Sequence, residues 1–560
     1  MIPASRSKIP QIIKTTGDFV SSGFFAVCLM AVGVVLRAAH YFGNRSFWLD
    51  ETVTAVLVVN RSWIEILRCI PLADSSAQQP YFFMLLEKMM VSWFGNQELA
   101  LRFWPFCAGI AGIFAFYVLI QRICAPAARS LALALFVFSS SLIYYAAELK
   151  PYSIDVLVTV LLVLMAVPSP DGSLTWRRAA GMGVAGAVCV WVSNPSVFIL
   201  AAAALCQGIP VIMTGQYRER KRLGLAWALW GISFAVLYRV YFSGMAEDAV
   251  LFNMWKNSFM PRPLWSVASL RWLKEAVSVF FLDPVGQGSA AVAMAVFVCG
   301  AVAWARKDLK MCGVLICPVL FTLLATALHV YPFGGRLTLF LVPLILIVLA
   351  EGVIGINSFI KPPFRVFAVL LPALILFPSL RQACLSVREG FDRQSNREVI
   401  AFLSREAREG DALALNSEAQ FPFWYYSQRF GCERFMSPAI PVSAGGERKQ
   451  GYVAGQFLDH LLMEPPQPYA LFRYVVYVFN EAGFFRELLS NDTLGQPQKI
   501  FINTPLALPN RQRAWFFFSS MNPVAKDFLL FSLDRQGKRL KAYEGKGAAV
   551  YLYDLTQQEP

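Results

Sequence analysis

GFFAVCLMAVGVVLRAAHYFGNRSFWLDE, residues 23–51, decides how the rest of the chain is read. Residues 23–42 form an apolar run long enough to cross a bilayer. Asp50 and Glu51 follow directly at its exit. Two adjacent carboxylates there are costly without solvent or a partner. They are either a solvated loop edge or the working acid/base of a site at the membrane surface. Taken alone, the pair favours the loop edge; the rest of the chain reverses that preference.

Working outward, 57% of the 560 residues are hydrophobic and only 15% are charged, with a mean hydropathy of +0.51. This is the composition of a polytopic membrane protein. A net charge of +14 would suggest a nucleic-acid partner in a soluble chain. Here the basic excess sits in short loops between apolar runs, as in the positive-inside pattern, and no nucleic acid is expected. Cys28, Cys107, Cys189, Cys206, Cys299 and Cys317 lie inside apolar runs without metal-ligand spacing and read as small core residues. Cys384 and Cys432 lie in the polar tail and could pair if that tail is extracytoplasmic. Arg6, Lys8 and Lys14 precede the first run as in a signal peptide. The run is long for one and lacks a small-residue cleavage site, so a retained anchor is expected.

Apolar runs predict roughly eleven spans, at about 23–42, 101–121, 130–147, 151–167, 180–193, 196–214, 223–242, 289–305, 311–329, 336–352 and 364–381. Under strict alternation six basic clusters share one side: Arg6/Lys8/Lys14, Arg122/Arg129, Arg177/Arg178, Arg218/Arg220/Lys221/Arg222, Arg306/Lys307/Lys310 and Lys361/Arg365. That side is the cytoplasm. The other face then carries Asp50-Glu51, Glu148-Leu149-Lys150, the loop 243–289, the segment 331–336 and everything after Arg381.

Residues 79–95 (QPYFFMLLEKMMVSWFG) are apolar but short, and carry Glu87-Lys88. They read as an interfacial helix anchored by Tyr81, Trp93 and Phe94, inside a structured first external loop at 43–100. Residues 63–67 add a short surface helix. After Arg381 charge rises and helix-like and strand-like segments alternate. Residues 396–409 read as an amphipathic helix; 411–415, 474–478, 514–518 and 548–553 read as strands; 421–426 begin another element. The expected organisation is a cytoplasmic N-terminus (1–22), a membrane domain (23–381) and a soluble extracytoplasmic α/β domain (382–560). The chain shows no internal repeat, glycine-rich phosphate loop or supported Ser/His/Asp arrangement.

Besides Asp50 and Glu51, three other external features bear on chemistry. In Glu148-Leu149-Lys150-Pro151-Tyr152, Pro151 suits the first turn of a helix. Tyr152 and Asp155 would share a face of that helix. A self-neutralising Glu148/Lys150 pair is the plainer alternative, but an ionisable Asp155 inside a span ordinarily faces a cavity. In His329-Val330-Tyr331-Pro332-Phe333-Gly334-Gly335-Arg336, two glycines leave room for a lipid to approach, and Arg336 could bind a phosphate bidentately. Snorkelling competes with that role, and for Arg102, at the start of the second span, snorkelling is the preferred reading.

Acidic and basic groups gathered at the external face suit transfer of a sugar from a lipid-linked phosphate. The acceptor hydroxyl needs a carboxylate as general base. The departing lipid phosphate needs charge stabilisation by Arg or Lys. Three histidines and no His/Cys cluster argue against a protein-built zinc site; carboxylates could still hold Mg²⁺ or Mn²⁺ shared with the phosphate.

These residues resemble those of the GT-C superfamily of polyprenyl-phosphate-sugar glycosyltransferases. The resemblance is to bacterial relatives of protein O-mannosyltransferases and of the aminoarabinose transferases that modify lipid A. It covers about residues 20–380. Its motifs, in order, are Trp48-Leu49-Asp50-Glu51, Asp74, Gln79-Pro80-Tyr81, Trp93-Phe94-Gly95, Glu98-Leu99-Ala100-Leu101-Arg102, Glu148 to Tyr152, and Tyr331-Pro332 through Arg336 with Pro343. The resemblance implies a polytopic GT-C fold and an inverting transferase of the bacterial inner membrane, with its site extracytoplasmic. It implies that Asp50 is the catalytic base and that Lys150 and Arg336 lie near the donor phosphate. Beside these, Glu51 and Glu148 are further candidates for the catalytic set, Tyr152 for the donor-phosphate site, and Arg102, Asp155 and Tyr331 for its support. Two departures stand out: Gln79-Pro80 replaces a common Pro-Pro, and Lys150 replaces a common Arg. Lysine stays cationic but loses the fork geometry. The expected partners are a polyprenyl-phosphate sugar, membrane lipids and an envelope acceptor.

A lipid flippase or secondary transporter explains the spans equally well, but should show paired glycine- or proline-interrupted helices in two corresponding halves. No such symmetry is visible. A glycan polymerase or ligase should concentrate basic residues in large external loops.

Overall fold

The computed structural model describes residues 22–67, 79–168, 174–213, 217–242, 255–358, 370–389, 392–408, 411–432, 476–479 and 513–555. Arg6, Lys8, Lys14, Asp74, Lys361 and Arg365 lie outside the described residues, as do residues 243–254 of the loop expected at 243–289. The chain forms two compact units. One comprises Met1–Asn44, Trp63–Ile70 and Gln78–Phe391; the other comprises Arg45–Ser62, Pro71–Ala77 and Asp392–Pro560.

The first unit is helical. Among the described residues, eight helices are long and apolar enough to cross a membrane: Gly23–Phe42, Phe103–Ile123, Ser196–Met213, Tyr217–Phe242, Ala290–Lys307, Leu309–Ala327, Gly335–Ser358 and Leu370–Arg388. The spans expected near 151–167 and 180–193 are the shorter helices Tyr152–Ala166 and Trp176–Val192, of 15 and 17 residues. Gly335–Ser358 is the centre: 83% of its most apolar window is buried, against at most 39% in the other seven. Its close approach to Ala290–Lys307 depends on two glycines. A Cβ on Gly300 would stand 2.0 Å from the Val348 carbonyl oxygen, and one on Gly352 would stand 2.1 Å from that of Val296. Small residues let helices meet backbone to backbone where lipid supplies no hydrophobic drive between them.

The span expected at 130–147 is instead two helices, Pro126–Phe138 and Ser140–Tyr145. Ser139 breaks the run with ψ at 112°, and its hydroxyl accepts from the Leu142 amide. Serine offers the backbone such local partners in place of helical ones. Arg37, buried on the first span, donates to the Phe136 and Val137 carbonyls that the break exposes. Helices form where short ones were expected, at Trp63–Leu67 and Tyr81–Phe94.

In the second unit the described strands form one five-stranded sheet of order β2-β1-β3-β5-β4. The strands are β1 (Ala412–Asn416), β2 (Val476–Phe479), β3 (Arg513–Ser519), β4 (Lys538–Gly545) and β5 (Ala548–Asp554). β1 pairs parallel with β2 and β3. β5 pairs antiparallel with β3 and β4. β3 reads as a continuous apolar run because both its faces are covered. Phe516 and Phe518 join Leu529, Leu530 and Leu533 of the helix Pro523–Asp534 in one core. Trp515 meets Phe402 of the helix Asn396–Glu406, which also stacks on Tyr543 at 4.9 Å. The soluble α/β tail read from the sequence is therefore a mixed sheet between helices. Cys384 and Cys432 are not joined in a disulfide, so the pairing considered for them is not formed.

Candidate active site

In the helical unit the site is built on two helix starts. Pro151 caps Tyr152–Ala166, with φ −74° and ψ −3°, and its carbonyl accepts from the Asp155 amide at 2.9 Å. Proline costs nothing there because its position lacks an intrahelical donor role. Tyr152 and Asp155 are thereby fixed one turn apart. Just before them the Lys150 amide donates to the Glu148 carbonyl at 2.7 Å. Glu148, Lys150, Tyr152 and Asp155 are all buried. Asp155 Oδ1 has no hydrogen-bond partner among the described residues.

The second start is the 3₁₀ segment Gly335–Leu341, which opens the central helix. Gly335 adopts φ +46°, and nothing stands within 4 Å of where its Cβ would be. Gly334 departs from the expected openness, because a Cβ there would meet Ser258 Oγ at 3.2 Å. The turn places the Arg336 guanidinium carbon 6.0 Å from the Tyr152 ring and 5.7 Å from the Trp255 ring. A planar guanidinium stacks on aromatic faces through its plane, while its N–H groups donate within that plane. Tyr331 donates through its hydroxyl to the Leu337 carbonyl at 2.9 Å, and its ring meets Phe198. Burial, and then the nearby Asp155 and Tyr152, push its phenol well above the ordinary range. Tyr331 therefore stays a neutral donor at any physiological pH.

Tyr152, Asp155, Tyr331 and Arg336 thus come together, with Glu148 and Lys150 on the turn that precedes them. Arg102 does not snorkel: it is 1% exposed, between the helices Glu98–Leu101 and Phe103–Ile123. Trp255 was missed in the sequence, where nothing distinguishes it from other loop aromatics.

Asp50 and Glu51 fall in the second unit, in the first turn of the helix Leu49–Asn60. Carboxylates suit a helix N-terminus. Their environments differ. Glu51 is fully buried and pairs with Arg45, Nη2 to Oε2 at 3.5 Å, whereas Asp50 is partly exposed. The segment before them rests on the α/β domain. The Phe47 amide donates to the Tyr426 hydroxyl at 2.8 Å. Arg393 lies over the Trp48 ring at 4.4 Å. Among the described residues no group of three or more His, Cys, Asp or Glu could hold a metal ion, so no residue is assigned to a cation.

The chain matches no protein-family model and no curated protein sequence. Solved structures match it. ArnT from Cupriavidus metallidurans in the apo state superposes with a TM-score of 0.50 at 12% identity, covering 96% of this chain and 99% of that one. The same protein bound to undecaprenyl phosphate gives 0.50 and 12% over 96% and 100%. The oligosaccharyltransferase AglB from Archaeoglobus fulgidus, with an inhibitory peptide and a dolichol-phosphate, gives 0.44 and 12% over 95% and 74%. The ArnT match spans nearly all of both chains, helical unit and sheet alike. This chain has the fold of the GT-C transferases.

Proposed function

We propose that this protein is an inverting glycosyltransferase of a bacterial inner membrane. It moves a sugar from a polyprenyl-phosphate donor to a hydroxyl of an envelope acceptor on the external face. In the proposed step, the Asp50 carboxylate takes the proton of the acceptor hydroxyl as its oxygen bonds to the anomeric carbon. The bond from that carbon to the phosphate oxygen breaks, and the polyprenyl phosphate leaves with the bonding pair. Arg336 and Lys150 offset the charge that gathers on the leaving phosphate. Tyr152 and Trp255 orient the guanidinium, and Tyr331, its hydroxyl donating to the Leu337 carbonyl, supports the turn that carries Arg336. Glu51, held by Arg45, positions the helix that carries Asp50; Glu148 completes the acidic set.

One observation carries the reading: an arginine held against two aromatic rings beside a buried aspartate, in a fold shared with a protein solved bound to undecaprenyl phosphate. The domain boundaries follow the same reading, with 23–381 as the membrane domain and 382–560 outside. The test is mass spectrometry of envelope glycans and glycoproteins from cells carrying the wild-type chain, no chain, or Asp50→Asn. A sugar-sized mass difference that the wild type restores and Asp50→Asn does not is the expected result. Identical envelopes in all three would overturn the proposal.

A further inference from the structure

β1 lies between β2 and β3 and runs parallel to both. The chain therefore leaves β1 for one neighbour and later returns on its other side. In an open α/β sheet such a reversal opens a crevice outside the carboxyl ends of the two strands, and ligands ordinarily occupy it. The carboxyl ends here are Asn416 of β1 and Ser519 of β3, both fully buried. They are joined to each other: Asn416 Nδ2 donates to the Ser519 carbonyl at 2.9 Å, and the Ser519 amide donates to Asn416 Oδ1 at 3.0 Å.

From there a polar chain leads outward. Ser519 Oγ donates to Asn396 Oδ1 at 2.7 Å. Asn396 Nδ2 donates to the Phe47 carbonyl and to Gln394 Oε1, each at 3.0 Å. Gln394 Oε1 also accepts from the Leu49 amide at 2.8 Å. Gln394 Nε2 donates to Ser520 Oγ, on a residue held at the left-handed φ of 57°. The Arg397 amide donates to Ser46 Oγ at 2.9 Å. The turn between β4 and β5 backs this segment. The Ser395 amide donates to the Lys546 carbonyl, and Gly547, at φ +60°, approaches so closely that a Cβ would stand 2.6 Å from the Arg393 carbonyl oxygen.

We infer that the crevice of the α/β domain holds residues 46–49 as a resident peptide, and that Asn396 and Gln394 are positioning residues for Asp50. The function of the domain is to fix the start of the acidic helix. The part that concerns catalysis rests on Asp50 being the base. The polar groups of the crevice are spent on backbone atoms of Phe47 and Leu49, so they set the position of that backbone whatever its side chains. Leu49 and Asp50 are adjacent, and a shift of about 1 Å in a reacting group can cost a hundredfold in rate.

The experiment uses the full chain in lipid nanodiscs. Asn396→Asp keeps the acceptor for Ser519 and the size of the side chain, but loses the donor to the Phe47 carbonyl of the resident peptide and the donor to Gln394. Asp411→Asn is the control. It lies at the opposite ends of β1 and β3, where Asp411 accepts from Trp515 Nε1 and pairs with Arg513. In Asn396→Asp, amide exchange of residues 45–52 should accelerate about tenfold or more, with β3 and β5 little changed. Affinity for undecaprenyl phosphate should stay as in the wild type, while envelope product falls about tenfold. Asp411→Asn should leave the exchange of 45–52 unchanged. Unchanged exchange of 45–52 in Asn396→Asp would overturn the inference. So would accelerated exchange with full product in a background where Asp50→Asn is inactive. If Asp50→Asn is itself active, the base assignment fails separately, and the exchange result alone decides whether the domain grips the peptide.

Discussion

The Arg336 cluster and the Asp50 helix are built in opposite ways. The backbone of the cluster's central groups is set by local helix starts: Pro151 fixes Tyr152 and Asp155, and Gly335 fixes Arg336. The Asp50 helix takes its position from partners 345 to 379 residues away, Gln394, Asn396 and Tyr426. A locally built group tolerates changes elsewhere in the chain. A group built from afar depends on a second domain being folded.

The sharpest break of that comparison is Asp50→Asn. It should fold and insert normally while lowering transfer on the order of a hundredfold or more, the scale of a general base. Near wild-type product from a well-expressed variant would remove the acidic half of the comparison. Next is the cluster. Arg336→Ala should weaken undecaprenyl phosphate binding about ten- to a hundredfold, roughly 1.5–3 kcal/mol, the range of one charge-assisted contact. Arg336→Lys should recover only part of it, since an ammonium lacks the fork. Titration in nanodiscs reads this directly, and Lys150→Ala belongs in the same series. Snorkelling at either position predicts no change.

Glu51→Gln sharpens the acidic side further. Removing the anionic partner of a buried pair leaves the Arg45 charge without that compensation, a change that costs about 3–5 kcal/mol in buried settings. The thermal midpoint of the second unit should fall, with a milder loss of transfer than in Asp50→Asn. A smaller effect belongs to the helix Tyr81–Phe94. Glu87 there is fully buried with neither oxygen partnered among the described residues, and burial raises its carboxyl well above the ordinary range. The folded state therefore holds a proton that the unfolded state releases. Its stabilising effect is complete below the ordinary carboxylate pKa and is lost as pH rises through the raised value. Between pH 5 and 8 the wild-type thermal midpoint should fall relative to that of Glu87→Gln, and parallel curves would refute the assignment.

Legibility in the sequence follows the same division. Most of the spans, the helix at Tyr81–Phe94 and the Pro151 and Gly335 turns are periodic or local signals, and they were readable. So were β1, β3 and β5, whose runs are apolar. β4 (KRLKAYEG) was not, because it is an exposed charged strand at the sheet's edge without alternation. The break at Ser139 was hidden by an unbroken apolar composition on either side, and Arg37 by its place inside a span. The grip on residues 46–49 was invisible because Gln394 and Asn396 look like any polar residues before a helix. Their partners in that segment are backbone atoms of Phe47 and Leu49, which carry no sequence identity.

The contact between Gly300 and Gly352 has a consequence for genetics. Arg336 and Gly352 lie on one continuous helical run, separated by roughly 20 Å or more along its axis. A single methyl at either glycine must wedge two backbones apart, and a rigid helix carries that tilt to its other end. Random mutagenesis should therefore return loss-of-function alleles at codons 300 and 352, among them simple alanine changes, in membrane-inserted protein whose reactive groups are all intact.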